Sequence, residues 1–90
     1  MTGTFGGALE ARNIDASNDK LTADVRGEIE DEDGVLIIRR IHVTYHISAS
    51  ADVQTTIDRV HQMHAEYCPV YRSLRKAINI TTEYRLEESA

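Results

Sequence analysis

Ninety residues with a net charge of −5 and one cysteine make a single small domain spanning residues 1–90, near the size at which one core only just offsets the entropy of folding. The acidic balance argues against a nucleic-acid partner or an anionic membrane surface. No window approaches the ~18 apolar residues of a membrane span, and the first residues lack the basic start and apolar core of a signal peptide. A lone cysteine excludes an internal disulfide, so the cytoplasm is the expected compartment.

Met1 to Gly7 is small and glycine-rich and is expected to be poorly ordered. Ala8 to Ile14 has helix-forming composition for about two turns, and Asp15 to Asp19 is a polar turn. A long β-hairpin follows. Leu21, Ala23, Val25, Gly27 and Ile29 alternate with Thr22, Asp24, Arg26 and Glu28, the period of a half-buried strand. Asp33-Gly34 suits the positive φ of a tight turn. The return strand runs from Val35 to Ser48, with Val35, Ile37, Ile41, Val43, Tyr45 and Ile47 on one face. Leu36, Ile38, Arg40, His42, Thr44 and His46 form the other. Arg39 interrupts the apolar face, so it either snorkels to the sheet edge or meets a carboxylate from another element or subunit. The apolar start of the even face suggests that both faces are covered near Leu36 to Ile38.

Asp52 to Tyr67 is an amphipathic helical run with Val53, Ile57, Val60 and His64 on one face and Ser50 placed to cap it. A second helical pattern takes in Val70, Leu74, Ala77 and Ile78, with Pro69 where a helix start tolerates proline best. Cys68 therefore falls at the N-cap of the second helix. There, unpaired backbone N–H groups and the helix dipole favour thiolate over thiol, with His64 one turn earlier able to add charge when protonated. The competing reading is that Cys68 only packs, and burial against Val70 and Leu74 would disfavour the anion. The last strand, Ile80 to Leu86, alternates again.

Metal chemistry finds little support. His42 and His46 share a strand face but lie roughly 13 Å apart at ~3.3 Å per residue. His61, His64 and Cys68 have helical i, i+3, i+7 spacing, but Pro69 breaks the helix near Cys68 and no fourth ligand follows. The acidic Glu30 to Gly34 turn lacks Ca²⁺-loop spacing. A phosphatase Cys-x5-Arg loop fails because Leu74 holds the arginine position.

Cys68-Pro69-Val70 with Ser73 and Leu74, the Gly34-Val-Leu-Ile-Ile-Arg-Arg-Ile-His-Val43 hairpin and the closing strand together resemble the C-terminal part of the OsmC and organic hydroperoxide resistance (Ohr) family, from about Ala8 to Leu86. The resemblance implies an α+β fold in the order short helix, β-hairpin, two helices, final strand, with both later helices packed on an antiparallel sheet. It also implies an intertwined homodimer and no cofactor. In that family a peroxidatic cysteine on a long central helix attacks a hydroperoxide, an arginine and a glutamate assist, and the Cys-Pro cysteine resolves the product. Ala8 to Arg12 resembles the end of that helix. The attacking cysteine, its partners and the N-terminal sheet would then fall upstream of Met1, leaving Cys68 at the resolving position. Two functions follow. One is a thiol protein of the hydroperoxide response using Cys68, with His64 as a candidate helper, and an external thiol reductant; the other is a non-enzymatic remnant or subunit that dimerises or complements a separate N-terminal chain.

Overall fold

A computed structural model describes residues 1–88. Its elements are α1 (Thr2–Glu10), β1 (Leu21–Glu32), β2 (Val35–Ala49), α2 (Gln54–His64), α3 (Pro69–Leu74) and β3 (Asn79–Glu88), with 3₁₀ turns at Ala51–Val53 and Ala65–Tyr67. This is the expected α+β architecture: a helix, a hairpin, two further helices and a last strand.

The N-terminus departs from expectation. Helix α1 starts at Thr2 rather than Ala8, and its glycines are tolerated because Phe5 and Leu9, four residues apart on one face, are both fully buried. Burial of such side chains is worth about 1.5–3 kcal/mol each, more than the ~1 kcal/mol a helical glycine costs. Gly6 also lets the helix lie close to the sheet, since a Cβ there would come within 3.3 Å of the Leu21 side chain. The helix stops where Asn13 turns left-handed (φ 61°). The Ile14 N–H then donates to the Leu9 carbonyl at 3.0 Å and the Asn13 N–H to Glu10 at 3.0 Å. This is the Schellman arrangement, and it folds Ile14 back into the core beside Leu9.

Strands β1 and β2 pair antiparallel through a two-residue turn at Asp33 (φ 53°) and Gly34 (φ 84°), the positive-φ pair that matches strand twist. Glu28 faces Arg40 while Ile29 faces Ile38, so Arg39 is an extra, bulged residue. The bulge shifts the side-chain parity of β2. Leu36 and Ile38 thereby join Ile41, Val43, Tyr45 and Ile47 on the inner side, while Val35 and Ile37, expected on that side, fall on the outer one opposite Glu32 and Glu30. Arg39 swings to the opposite side and meets carboxylates of the neighbouring strand, Glu32 at 3.0 Å and Glu30 at 3.5 Å, while Arg40 meets Glu28 and Glu30 at 2.5 and 2.6 Å.

The sheet itself is mixed, not antiparallel. β3 adds to β2 in parallel, Asn79 beside Arg40 through Glu88 beside Ala49. The reason is the length of the 50–78 crossover, whose helices carry the chain back to the far end of β2 before β3 begins. Helix α2 buries Ile57, Val60 and His64 on the sheet, whereas α3 buries no residue and leaves Val70 and Leu74 exposed. Only one of the two later helices therefore packs as expected. Ser50 does sit before the first turn, but it caps through its carbonyl, which accepts from the Val53 N–H at 3.2 Å.

Candidate functional site

Cys68 closes the core where α1, β2 and the end of α2 meet. The Ala65–Tyr67 turn tightens the chain after His64, the Cys68 N–H donates to the Ala65 carbonyl at 3.0 Å, and the Cys68 carbonyl accepts from Arg72 at 3.0 Å. Extended backbone (φ −92°, ψ 118°) makes Cys68 the N-cap of α3 with Pro69 at the first helical position, the placement its sequence implied. Its side chain is only 2 % exposed. Burial pushes the thiol pKa up, but the backbone N–H groups of Tyr71 and Val70 and the Met1 amino group outweigh it, so the thiol lies below its ordinary value. With only six residues, α3 has little dipole of its own; the local amide groups supply the effect.

His64 sits in the same core, 1 % exposed, and plays a different part from the one its spacing suggested. Its Nδ1 donates to the His61 carbonyl at 2.6 Å, and its Nε2 therefore accepts the Tyr45 hydroxyl at 2.9 Å. The ring stacks on Phe5 at 4.9 Å and on His61 at 5.2 Å. Burial, the neighbouring His61 and the Met1 amino group lower its pKa, against the hydrogen bond to the His61 carbonyl. A neutral ring in this setting brings no positive charge to Cys68.

Tyr45 is the residue that strand periodicity alone did not single out as chemistry. It is fully buried, stands opposite Ala23 and Tyr84 in its row, and packs edge-on to Phe5 at 4.6 Å. Burial and the nearby Cys68 push its pKa up to about 12. The only sequence signals were its place on the inner face of β2 and that of His64 on the inner face of α2, with no clue that the two would meet. The His61 ring, stacked on His64, points its Nε2 toward β3 and bonds the Thr82 hydroxyl there at 2.9 Å, and the Tyr84 hydroxyl bonds Asp58. His61, His64 and Cys68 are thus not gathered round one point. His42 and His46 lie on the opposite, outer face, His42 with Thr81 (2.7 Å) and Glu83 (3.5 Å), and His46 with Asp24 (2.9 Å).

What the arrangement offers chemically is one thiol with depressed pKa, beside a fully hydrogen-bonded Tyr–His pair, under a thin cover formed by α1. Solved structures share the fold that builds it. A hypothetical protein from Aquifex aeolicus VF5 superposes with a TM-score of 0.76 at 13 % identity, over 99 % of this chain and 69 % of that one. An OsmC-like protein from Mycoplasma pneumoniae gives 0.72 at 22 % identity, over 93 % and 60 %. A putative redox protein from Lactobacillus casei ATCC 334 gives 0.70 at 14 % identity, over 96 % and 57 %. The chain thus spans roughly three-fifths of the length of these proteins. No curated protein matches it significantly. At such identities the superpositions speak for the fold alone, but residues 1–83 also match the sequence pattern of the OsmC-like proteins, from the buried α1 through the Cys68-Pro69 cap into β3, and the chain belongs to that family.

Proposed function

We propose that this chain is a thiol protein of the oxidative-stress response, acting on organic hydroperoxides through Cys68. The observation that carries the reading is the position of the thiol at the α3 N-cap, where the Tyr71 amide, the Met1 amino group and the Val70 amide together hold it below its ordinary pKa in spite of burial. Family membership and the redox designation of the Lactobacillus casei neighbour agree with it. The thiolate attacks the terminal peroxide oxygen, the O–O bond breaks, and the alkoxide leaves as the alcohol after taking a proton. Cys68 is left as a sulfenic acid. An external thiol condenses with it, releasing water and forming a mixed disulfide, and a second thiol reduces that disulfide. Cys68 then does both the reacting and the waiting. In longer family members the same position resolves an attack made by another cysteine, and a separate chain carrying that cysteine would restore the two-thiol cycle here. The working compartment is the cytoplasm; no helix among the described residues is long and apolar enough to cross a membrane.

The assembly is a homodimer. On the helix-covered side of the hairpin, Val25, Ile29, Leu36 and Ile38 are all exposed, the first at 63 % and Leu36 at 72 %, and a second copy is the simplest cover for them.

Trapping decides between an active thiol and an inert remnant. After treatment with cumene hydroperoxide at pH 7.5, dimedone is expected to label Cys68 stoichiometrically, and Cys68→Ser to remain unlabelled. Absence of label in the folded wild-type chain sinks the peroxidase reading and leaves the non-enzymatic subunit.

A further inference from the structure

A neutral Tyr–His pair in the centre of so small a core has a consequence for pH. His64 faces Tyr45 from β2, Phe5 and the Met1 amino group from the α1 end, and His61 from its own helix. None of these is a carboxylate. The nearest acidic side chain on α2, Asp58, is bonded to Tyr84 and acts on His61. If His64 took a proton in place, Tyr45 would have to turn its oxygen toward Nε2–H and leave its own proton without a partner. The charge would sit unpaired among Phe5, Tyr45 and an amino group. The 3₁₀ turn at Ala65–Tyr67, with no buried residue of its own, is all that links His64 to Cys68.

We propose that the Tyr45–His64 hydrogen bond is an acid-released latch: protonation expels His64 from the core, loosens the 65–67 turn and opens Cys68 to solutes. The latch regulates the site proposed above and takes its functional meaning from that reading, but its mechanics stand on the packing. His64 binds its proton more readily in the opened state, where an imidazole titrates near 6.5, than in the closed one, so the open fraction grows by up to about tenfold per pH unit below that value. Above it the open fraction levels off at its small neutral-pH value. In a thiol protein this would make Cys68 most accessible under acidified conditions.

The test measures access to Cys68 with 4,4′-dithiodipyridine, which reacts with thiols in mild acid, on the 90-residue chain from pH 7.5 to 5.0. Each rate is divided by that of the urea-unfolded chain at the same pH, which removes the change in thiolate fraction. Relative access is expected to rise about tenfold or more toward pH 5 while far-UV circular dichroism stays constant, and the His64 ring protons followed by NMR should titrate in step with it. In His64→Gln, which keeps an amide donor and acceptor but takes no proton, access should stay flat. If that variant does not fold, His64→Met carries the same expectation, and the wild-type NMR titration stands by itself. A flat wild-type profile overturns the latch. So does an unchanged rise in the variant, a loss of helical signal in step with access, or a His64 titration at a different pH. Dimedone labelling at pH 7.5 is run to its end point over hours, so that even a small open fraction is sampled, and is repeated on the His64→Gln variant; its yield reports the chemistry of Cys68 and the pH profile reports access, so either idea can fail without the other.

Discussion

At the scale of single residues, the buried hydrogen bonds set the consequences. Tyr45→Phe removes the donor to His64 Nε2 and leaves a buried acceptor unsatisfied, a cost of about 1–3 kcal/mol. Urea denaturation should show that loss as a lower midpoint with unchanged slope; an unchanged midpoint would mean that water replaces the hydroxyl. For Cys68, the alkylation rate with iodoacetamide followed from pH 6.5 to 10 should give an apparent pKa below that of the urea-unfolded chain, because the Tyr71 and Val70 amides and the Met1 amino group together outweigh burial. A folded-state value equal to or above the unfolded one would leave Cys68 as packing.

Among the elements, α1 and the bulge carry most of the information that separates this fold from a plain hairpin with helices. Phe5→Ala opens a cavity among Tyr45, His64 and Leu9 and should destabilise the chain by about 3–5 kcal/mol. A cost of that size shows that α1 is part of the core; a thermal midpoint within a degree or two of wild type would show instead that α1 frays from it. The bulge makes the opposite kind of prediction. Deleting Arg39 joins Ile38 to Arg40 and lets Ile29–Ile38 and Glu28–Arg40 pair in regular succession, with every apolar side chain still on its present face. The deletion variant should therefore fold with native-like circular dichroism, whereas deleting Ile41 would regularise the ladder by placing Arg40 on the inner face opposite Gly27 and is expected to lower the thermal midpoint clearly below that of the Arg39 deletion.

For the molecule as a whole, shape and titration lead in two directions. β3 pairs only with Arg40 to Ala49, so the outer part of the hairpin runs on without a third strand and the molecule measures 51 × 22 × 20 Å. Its Cα radius of gyration of 14.8 Å exceeds the about 12 Å expected of a compact chain this long. The projecting apolar face is the surface that the proposed dimer covers, and sedimentation velocity at micromolar concentration should show a dimer that Leu36→Glu with Ile38→Glu dissociates; a monomeric wild type would remove the proposal. Acid acts with one sign throughout. His61 and His64 are lowered by burial, Glu30 by its hydrogen bond to Arg40 and Glu83 by its bonds to Thr44 and His42. In each case the unfolded chain binds the proton more readily, so stability present at neutral pH is lost as pH falls, first below about 6.5 for the histidines and then through the carboxylate range. The thermal midpoint is expected to fall in those two steps, the first of them smaller in His64→Gln, where only His61 still contributes.

Periodicity, turn chemistry and capping by themselves determined much of this protein: the Asp33-Gly34 hairpin, the amphipathic face of Val53, Ile57, Val60 and His64, the Cys68-Pro69 junction and the closing strand all depend on neighbours a few residues away. Three things waited for the tertiary structure. Thr2 to Gly7 has poor helix propensity, and it is helical because Phe5 and Leu9 find a hydrophobic floor contributed by β2 and α2. Arg39 reads as a flaw in an alternating strand until pairing with β1 makes it a bulge that moves the arginine to the glutamates and the leucine and isoleucine before it to the core side. The direction of β3 and the meeting of Tyr45 with His64 depend on how a crossover returns and on which inner-face residues end up opposite each other, and no local pattern carries either distance. That contact, 19 positions apart in the chain, fixes the proton state of the ring beside Cys68.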